Sequence, residues 1–279
     1  MEWHEAAELL RPELTETEAA AKWEEAWLLH VDGSGQVRVD GDEPEVFRAE
    51  GTPGSHDLYL GQWQGRSWFV RTEAAAVTSQ WADWRQVTPQ WRQLVTAAVW
   101  LGRWHAGAPN CEHCGGATCP TIVGARRVCA DCGELQFARQ DPAVIVAVTD
   151  RADRLLLVQH VAKVAGRHSL VAGFIEPGES AEQAVHREVL EEVGLPLDQL
   201  HYFGSQPWPM PRSLMLGFFA CTTVGLPEPD GAEIAAARFV ARAELDHALR
   251  TGELQLPTGT SIARRMISAW QQGRLGCQR

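Results

Sequence analysis

Apolar and polar positions alternate along this chain in patterns that predict a mixture of strands and helices. WLLHVDGSGQVRV at 27–39 sets strand-like runs on either side of a turn, and LYLGQWQGRSWFV at 58–70 repeats the arrangement around a Gly-bearing turn. Residues Thr88–His105 read as a helix that carries Trp91, Trp100 and Trp104. AVIVAVTD and RLLLVQHV flank Asp150-Arg151-Ala152-Asp153, which predicts two apolar strands joined as a hairpin. Glu179–Val193 predicts a helix, with an acidic start after Pro177-Gly178, apolar Ala184, Val185, Leu190 and Val193, and a Gly194 stop. Strands near Leu214–Cys221 and Ala236–Val240 and a terminal helix from about Ser261 complete an α+β layout. No internal repeat or low-complexity linker interrupts it. The 279 residues suffice for two domains and a small module. The expected boundaries are an N-terminal α+β domain at 1–105, a Cys-bearing ribbon at 106–137 and a C-terminal domain at 138–279.

The helix at 179–193 carries the first candidate chemistry. Glu188, Glu191 and Glu192 are three and four residues apart, so one helical face presents three carboxylates. Like charges that close repel unless a cation holds them, and carboxylate oxygens are hard ligands suited to Mg²⁺ or Mn²⁺. Read alone, an E-x-x-E-E run usually means a solvated acidic face. The flanking Gly173, Glu179, Arg187 and Gly194 in fixed register argue otherwise. Arg187 lies two turns beyond Glu179 and is expected to tie the preceding loop to the helix, while Gly173 and Gly178 are expected to supply backbone angles that other residues resist.

A second metal site is written in cysteine. Cys111-x-x-Cys114-Gly and Cys129-x-x-Cys132-Gly are separated by 14 residues, close to the four-Cys zinc pattern. Four thiolates suit tetrahedral Zn²⁺, and a closed shell leaves no open position, so the zinc is expected to be structural. His105 and His113 are alternative ligands, less favoured than the four Cys. Cys119 is a spare on the ribbon, Cys221 reads as a small buried residue, and Cys277 lies in the tail.

Composition narrows the partners. The 25 basic and 36 acidic residues give a net charge of −11. That argues against broad nucleic-acid or membrane binding, because neutralising phosphates needs clustered Lys and Arg. The N-terminal MEWHEAAELLRPELTETEAA lacks the apolar core of an export signal, and no run approaches 18 apolar residues. A zinc-type use of Cys fits a reducing cytoplasm. Of the 12 Trp, seven fall at 63–104 (Trp63, Trp68, Trp81, Trp84, Trp91, Trp100 and Trp104), which reads equally as core packing or as an interface between copies.

Gly173–Leu195, GFIEPGESAEQAVHREVLEEVGL, resembles the signature box of the Nudix hydrolases at every constrained position. Ser205-Gln206-Pro207-Trp208-Pro209-Met210-Pro211-Arg212-Ser213 resembles the SQPWPFPxS array of their NADH pyrophosphatase and NAD-capped RNA hydrolase branch, with Met210 in place of the usual Phe. Ser261-Ile262-Ala263-Arg264-Arg265, Glu233-Ile234 with Ala237-Arg238-Phe239, Gly61–Gly65 and Trp84–Val87 resemble further segments of that branch. The likeness covers nearly the whole chain and is weakest over residues 1–55.

The resemblance implies a Nudix α/β/α sandwich, a zinc ribbon and an N-terminal domain. It implies Glu188, Glu191, Glu192 and Glu233 as metal ligands or base, with the Ala172 backbone also on metal; Glu191 and Glu233 remain alternatives for the base. It implies that Phe137 and Phe174 stack on a substrate ring, and that Arg85, Ala263 and residues 205–213 contact substrate. Phe137 stands where Tyr is common, which keeps the stack and loses a phenol hydrogen bond. The implied reaction is divalent-metal-dependent hydrolysis of NAD(H) to NMN(H) and AMP, together with removal of a 5′ NAD cap from RNA, by a cytoplasmic homodimer. Two other readings compete. One is a non-catalytic NAD or nucleotide regulator with a zinc-ribbon contact module, which has no need of the full carboxylate set. The other is a Nudix hydrolase of ADP-ribose or other nucleoside diphosphate derivatives, against which the SQPWP array speaks.

Overall fold

A computed structural model of the chain describes residues 8–73, 80–162, 166–223, 225–257 and 259–276, and every element below is built from these. Cys277 and the first seven residues of the N-terminal stretch lie outside the described residues. The chain divides into two compact units, residues 1–139 with 209–212, and residues 140–208 with 213–279.

The first unit opens with helix α1 (Glu16–Ala21), closed by a Thr15 capping box. Strands β1 (Trp27–Val31), β2 (Gln36–Asp40), β3 (Glu43–Pro44), β4 (Phe47–Arg48), β5 (Asp57–Trp63), β6 (Arg66–Thr72) and β7 (Trp81–Asp83) form one sheet. Its main order is β3-β2-β1-β6-β5, with β4 on β1 and β7 on β2. The two turn-containing runs at 27–39 and 58–70 thus became the pairs β1–β2 and β5–β6. Helix α2 (Arg92–Gly107), entered through a short 3-10 turn at Pro89–Trp91, buries Leu94, Val95, Ala98 and Val99. Trp23, Leu28, Tyr59 and Phe69 form a core cluster, and Trp63, Trp68 and Trp91 pack together with centroids 4.8–5.6 Å apart, Trp68 edge to face with both others and Trp63 tilted on Trp91. Trp63, Trp68, Trp84 and Trp100 are buried, so packing accounts for them; each large side chain buried contributes about 1.5–3 kcal/mol.

Strands β8 (Thr118–Pro120), β9 (Arg126–Cys129) and β10 (Leu135–Phe137) make the ribbon, in the order β10-β9-β8. It is tied into the first unit. The Tyr59 amide donates to Ile122 O at 2.8 Å. Buried Arg127 donates to Thr118 Oγ1 at 2.7 Å and to His105 Nδ1 at 2.9 Å.

The second unit holds β11 (Asp141–Thr149), β12 (Leu155–His160), β13 (Val171–Phe174), α3 (Ala181–Val193), β14 (Gln199–Trp208), β15 (Ser213–Cys221), β16 (Ile234–Val240), α4 (Arg242–Thr251) and α5 (Ile262–Gln271). The sheet order is β14-β15-β11-β12-β16, with β13 on β11; β11 and β15 run parallel from Asp141↔Ser213 to Thr149↔Cys221. The expected hairpin is present, with Thr149 opposite Leu155 and the Asp150 carboxylate accepting from the amides of Ala152 and Arg154.

Side chains of a strand alternate between faces. Val144, Val146 and Val148 pack with Val185, Val189 and Val193 of α3, while Gly217, which pairs with Ile145, faces Ile262 and Met266 of α5. Helices therefore cover both faces, the α/β/α arrangement. Two details differ from expectation. Ser205–Trp208, which none of the expected elements covered, are strand, because β14 runs through them to pair with β15. Cys221 is buried as expected, but it is also disulfide-bonded.

Candidate active site

The loop from β13 into α3 is built by its own hydrogen bonds. Ser180 caps the helix and forms a capping box with Gln183, and Gly194 ends it in the left-handed region. Gly178 has φ +96°, as a loop glycine at that bend requires. Arg187 grips Glu179 through two bonds of 2.6 and 2.9 Å and donates to the Phe174 carbonyl at 2.9 Å. The same guanidinium reaches Glu188 at 2.8 Å and Glu191 at 3.1 Å. One arginine thus fixes the loop, the end of β13 and two of the three helix carboxylates. The Glu179 carboxyl is held below its ordinary pKa, first by Arg187 and then by the Glu176 amide.

Gly173 does a different job from the one expected. Its backbone is ordinary strand, and its freedom is not used. Instead the Glu188 carboxyl group fills the space where a Cβ would stand. Glu188 lies half-buried against β13 at Gly173, while Glu192 is 3% exposed and Glu191 projects outward. Burial raises the Glu188 pKa above its usual value; Arg187 opposes that, and the charges of Glu191 and Glu233 add to it. Glu233 sits just before β16, near enough to act on Glu188. Its loop is fastened by Asp230, a residue the sequence reading passed over. Asp230 accepts from the amides of Ala232, Glu233 and Ile234 at 2.9–3.2 Å, and its own amide donates to Glu192 O at 3.1 Å. Asp three residues ahead of Glu233, followed by Gly231, is the turn signal that would have revealed it.

These carboxylates suit a hard divalent cation in chemistry, with two of them, Glu188 and Glu192, partly or fully desolvated among acidic neighbours. They are looser than the cysteines. Among the described residues, the group whose ligand atoms all lie within 4.8 Å of one another is Cys111, Cys114, Cys129 and Cys132. Their sulfurs are 3.4, 3.5 and 3.8 Å apart in three pairs, matching the roughly 3.8 Å edge of a tetrahedron with 2.3 Å metal–sulfur bonds. Gly115 and Gly133, one after each pair, have φ +77° and +73°. The Glu134 amide lowers the Cys132 pKa, but sulfur contacts with Cys114 and Cys129 outweigh it and push the thiol up to about 12. Four thiols so placed could hold a metal ion. His105 is no ligand here, since its Nε2 meets Gly124 O at 2.6 Å and its Nδ1 meets Arg127.

The remaining site residues are placed as follows. In the second unit, Phe174 is 53% exposed at the end of β13. Gln206 is buried and uses both amide atoms internally, donating to Thr260 O at 2.8 Å and accepting from the Ile262 amide at 2.6 Å. It therefore joins β14 to the start of α5, where Ala263 is also buried, and its own contacts are to backbone. Ser205 and Pro207 are exposed on β14, Trp208 is half-buried at its end, and Ser213 is buried at the start of β15. In the first unit, Phe137 is 57% exposed on β10, and Arg85 pairs with Asp83. Pro209 is buried there, and Pro211 and Arg212 are exposed. Met210 turns its sulfur toward the Gly35 turn beside Val99 and Arg103, so this Met packs where an aromatic ring is usual.

A row of glutamates on a helix beneath a mixed sheet, entered by a Gly-x₅-Glu loop that an arginine closes, defines a Nudix domain, and residues 139–259 match the NUDIX domain family. The NAD-capped RNA hydrolase NudC of Mycobacterium bovis is 37% identical over 278 residues, covering 90% of this chain and 88% of that protein. The NAD-capped RNA hydrolase NudC of Klebsiella pneumoniae is 35% identical over 215 residues, covering 77% of this chain and 80% of that one. A crystal structure of a NUDIX hydrolase from Nitrosomonas europaea is similar at TM-score 0.45 and 21% identity, over 59% of this chain and 91% of that chain. The chain belongs to the NudC family of Nudix hydrolases. Nudix hydrolases use divalent metals, and no helix among the described residues is long and apolar enough to cross a membrane.

Proposed function

We propose that this chain hydrolyses the pyrophosphate bond of NAD(H), giving NMN(H) and AMP, and removes the NAD cap from the 5′ end of RNA. The observation that carries this reading is the complete carboxylate set on α3, in a chain alike over 90% of its length to an NAD-capped RNA hydrolase NudC.

Glu188 and Glu192 are the proposed ligands for Mg²⁺ or Mn²⁺, and the Ala172 backbone is a further proposed contact to the ion. Glu191 and Glu233 are the candidates for the base that takes a proton from water. When bound, the divalent ion supplies charge neutralisation for the two phosphates. Arg187 keeps Glu188 and Glu191 in place without needing to touch substrate. Phe174 and Phe137 offer open ring faces for stacking on nicotinamide or adenine. Arg85, Ser205, Gln206, Pro207, Trp208, Pro209, Met210, Pro211, Arg212, Ser213 and Ala263 are the proposed substrate-contacting residues. Cys111, Cys114, Cys129 and Cys132 would hold Zn²⁺ as a structural ion. The three-part organisation at 1–105, 106–137 and 138–279, a homodimer and a cytoplasmic location belong to the same proposal.

A substrate panel tests it. NADH, NAD⁺, ADP-ribose, a diadenosine polyphosphate and NAD-capped RNA are offered with Mg²⁺ or Mn²⁺, and AMP or cap release is measured. NADH and capped RNA should lead. A preference for ADP-ribose would move the chain to another Nudix activity, and binding without turnover would make it a regulator.

A further inference from the structure

We propose that a cavity on the sheet of the first unit, lined by none of the residues expected to meet the dinucleotide, binds a small phosphate monoester. Its walls are Leu28, His30, Phe47, Arg48, Glu50 and Arg71, from β1, β4, β6 and the residues that follow β4. The volume is about 270 Å³, just below the roughly 300–1,000 Å³ of drug-sized sites. That suits one phosphate on a short apolar body and is too small for a dinucleotide. In register, Leu28 lies opposite Phe47 and His30 opposite Arg71, so neighbouring strands set an apolar wall beside a cationic one.

His30 is the observation that points to a ligand. It is 7% exposed, and its ring lies against Phe47 with centroids 4.4 Å apart. Nδ1 meets Glu73 Oε1 at 2.9 Å. An ionised carboxylate only accepts, so Nδ1 carries the proton. Nε2 is buried and has no hydrogen-bond partner among the described residues. A buried polar atom left unmatched is costly, which favours a ligand that supplies the partner. A phosphate monoester fits either state of the ring, because its second pKa is about 6. The monoanion donates its O–H to neutral Nε2, and the dianion accepts from Nε2–H of the protonated ring. An ionised carboxylate has no proton to give and matches the protonated ring alone.

The guanidinium groups supply the charge. Arg48 is exposed and makes no ion pair among the described residues. Its guanidinium lies 4.8 Å from the Trp27 ring centroid, which orients it and leaves its N–H groups for an oxyanion. Arg71 is fixed by Asp57 through bonds of 2.6 and 2.8 Å from Nε and Nη2, so Nη1 is outside that pair. The acids nearby are already engaged, Asp57 by Arg71 and Glu73 by His30. Glu50, the one carboxylate in the lining, is exposed. Two oriented guanidinium groups and a histidine beside Leu28 and Phe47 thus match a phosphate carried on a small apolar group.

The test titrates the full zinc-loaded chain at pH 7, with no Mg²⁺ or Mn²⁺ added, against phenyl phosphate and against benzoate by calorimetry. Wild type, Arg48→Gln, His30→Phe and Phe174→Ala are compared, with melting temperature as the check on folding. The wild type should bind phenyl phosphate at least about tenfold more tightly than benzoate. Arg48→Gln should raise Kd for phenyl phosphate at least about tenfold, the scale of one charge-assisted hydrogen bond. Arg48 is exposed, so its replacement spares the core. A folded His30→Phe should show a similar rise, and Phe174→Ala should stay within twofold of wild type. No binding by the wild type, equal binding of benzoate, or an unchanged Kd in Arg48→Gln or in folded His30→Phe would overturn the proposal. A rise in Phe174→Ala would assign the phosphate to the substrate site and overturn it as well. None of these readouts uses turnover, so the outcome is separate from that of the proposed hydrolysis.

Discussion

The carboxyl group of Glu188 rests against the Cα of Gly173, in the space a methyl group would occupy. A glycine in mid-strand normally weakens the strand. Here it lets a helix carboxylate lie directly against the strand at Gly173. The proposed metal ligands thus come from two elements brought together by one missing side chain.

Gly173→Ala should therefore act on the chemistry far more than on the fold. The atoms in the way are the end of a flexible side chain, so the Glu188 carboxylate moves and the strand stays. A displacement on the ångström scale costs roughly 100-fold in rate, and the melting temperature should shift by less than about 2 °C. Steady-state kinetics beside calorimetry checks this, and unchanged kcat would mean that the position of Glu188 is unimportant.

Asp230 positions Glu233 through backbone amides, and its carboxyl is held below its usual pKa first by the Ile234 amide. Asp230→Ala should lower kcat about tenfold and leave KM for NADH nearly unchanged, whereas Asp230→Asn keeps an acceptor oxygen and should retain most of the rate. Equal kcat for the Ala variant and the wild type would remove Asp230 from any positioning role.

His105 couples acid to stability. Burial first, and then the Arg127 charge, lower its pKa to about 4, against the Gly124 carbonyl, which raises it. The unfolded chain binds this proton from about pH 6.5 downward and the folded chain only from about pH 4. Stability contributed by neutral His105 is therefore full above pH 6.5 and is lost as pH falls toward 4, by up to about 3 kcal/mol. Denaturant unfolding of wild type and His105→Gln across pH 4–7 checks this: the variant should lose less stability over that range, and parallel curves would show that His105 does not carry the effect.

Cys111→Ser should damage the fold more than the reaction. Loss of one of four sulfurs opens the closed shell, and the melting temperature should fall by roughly 10 °C or more with loss of bound zinc. At a temperature where the variant is still folded, kcat should stay within a few-fold of wild type. An unaltered melting temperature and full zinc content would show that Cys111 is not a ligand.

Much of this was legible in the sequence because period and spacing are local. The carboxylate face of α3, the hairpin at Asp150, the paired cysteine knuckles and the Glu179–Arg187 tie each follow from residues within one or two turns of one another. What stayed hidden depends on distant partners. The strand at Ser205–Trp208 could not be seen in a Pro-rich array, because its pairing with β15 overrides local propensity. Gly173 was recognised, but its reason was missed, since the contact that needs it comes from a helix 15 residues later. Gln206 is fastened to residues 54 and 56 positions away, and no spacing rule reaches that far.

The most direct measurement is AMP release from NADH by the wild type and by Glu192→Gln, each with saturating Mn²⁺. Glu192 is 3% exposed on the helix face that would hold the ion, and its amide counterpart keeps the shape while removing the charge. A fall in kcat of about 1,000-fold or more, in a protein with an unaltered melting temperature, is expected. Turnover near the wild-type value would show that the helix carboxylates do not hold the metal on which the hydrolysis depends.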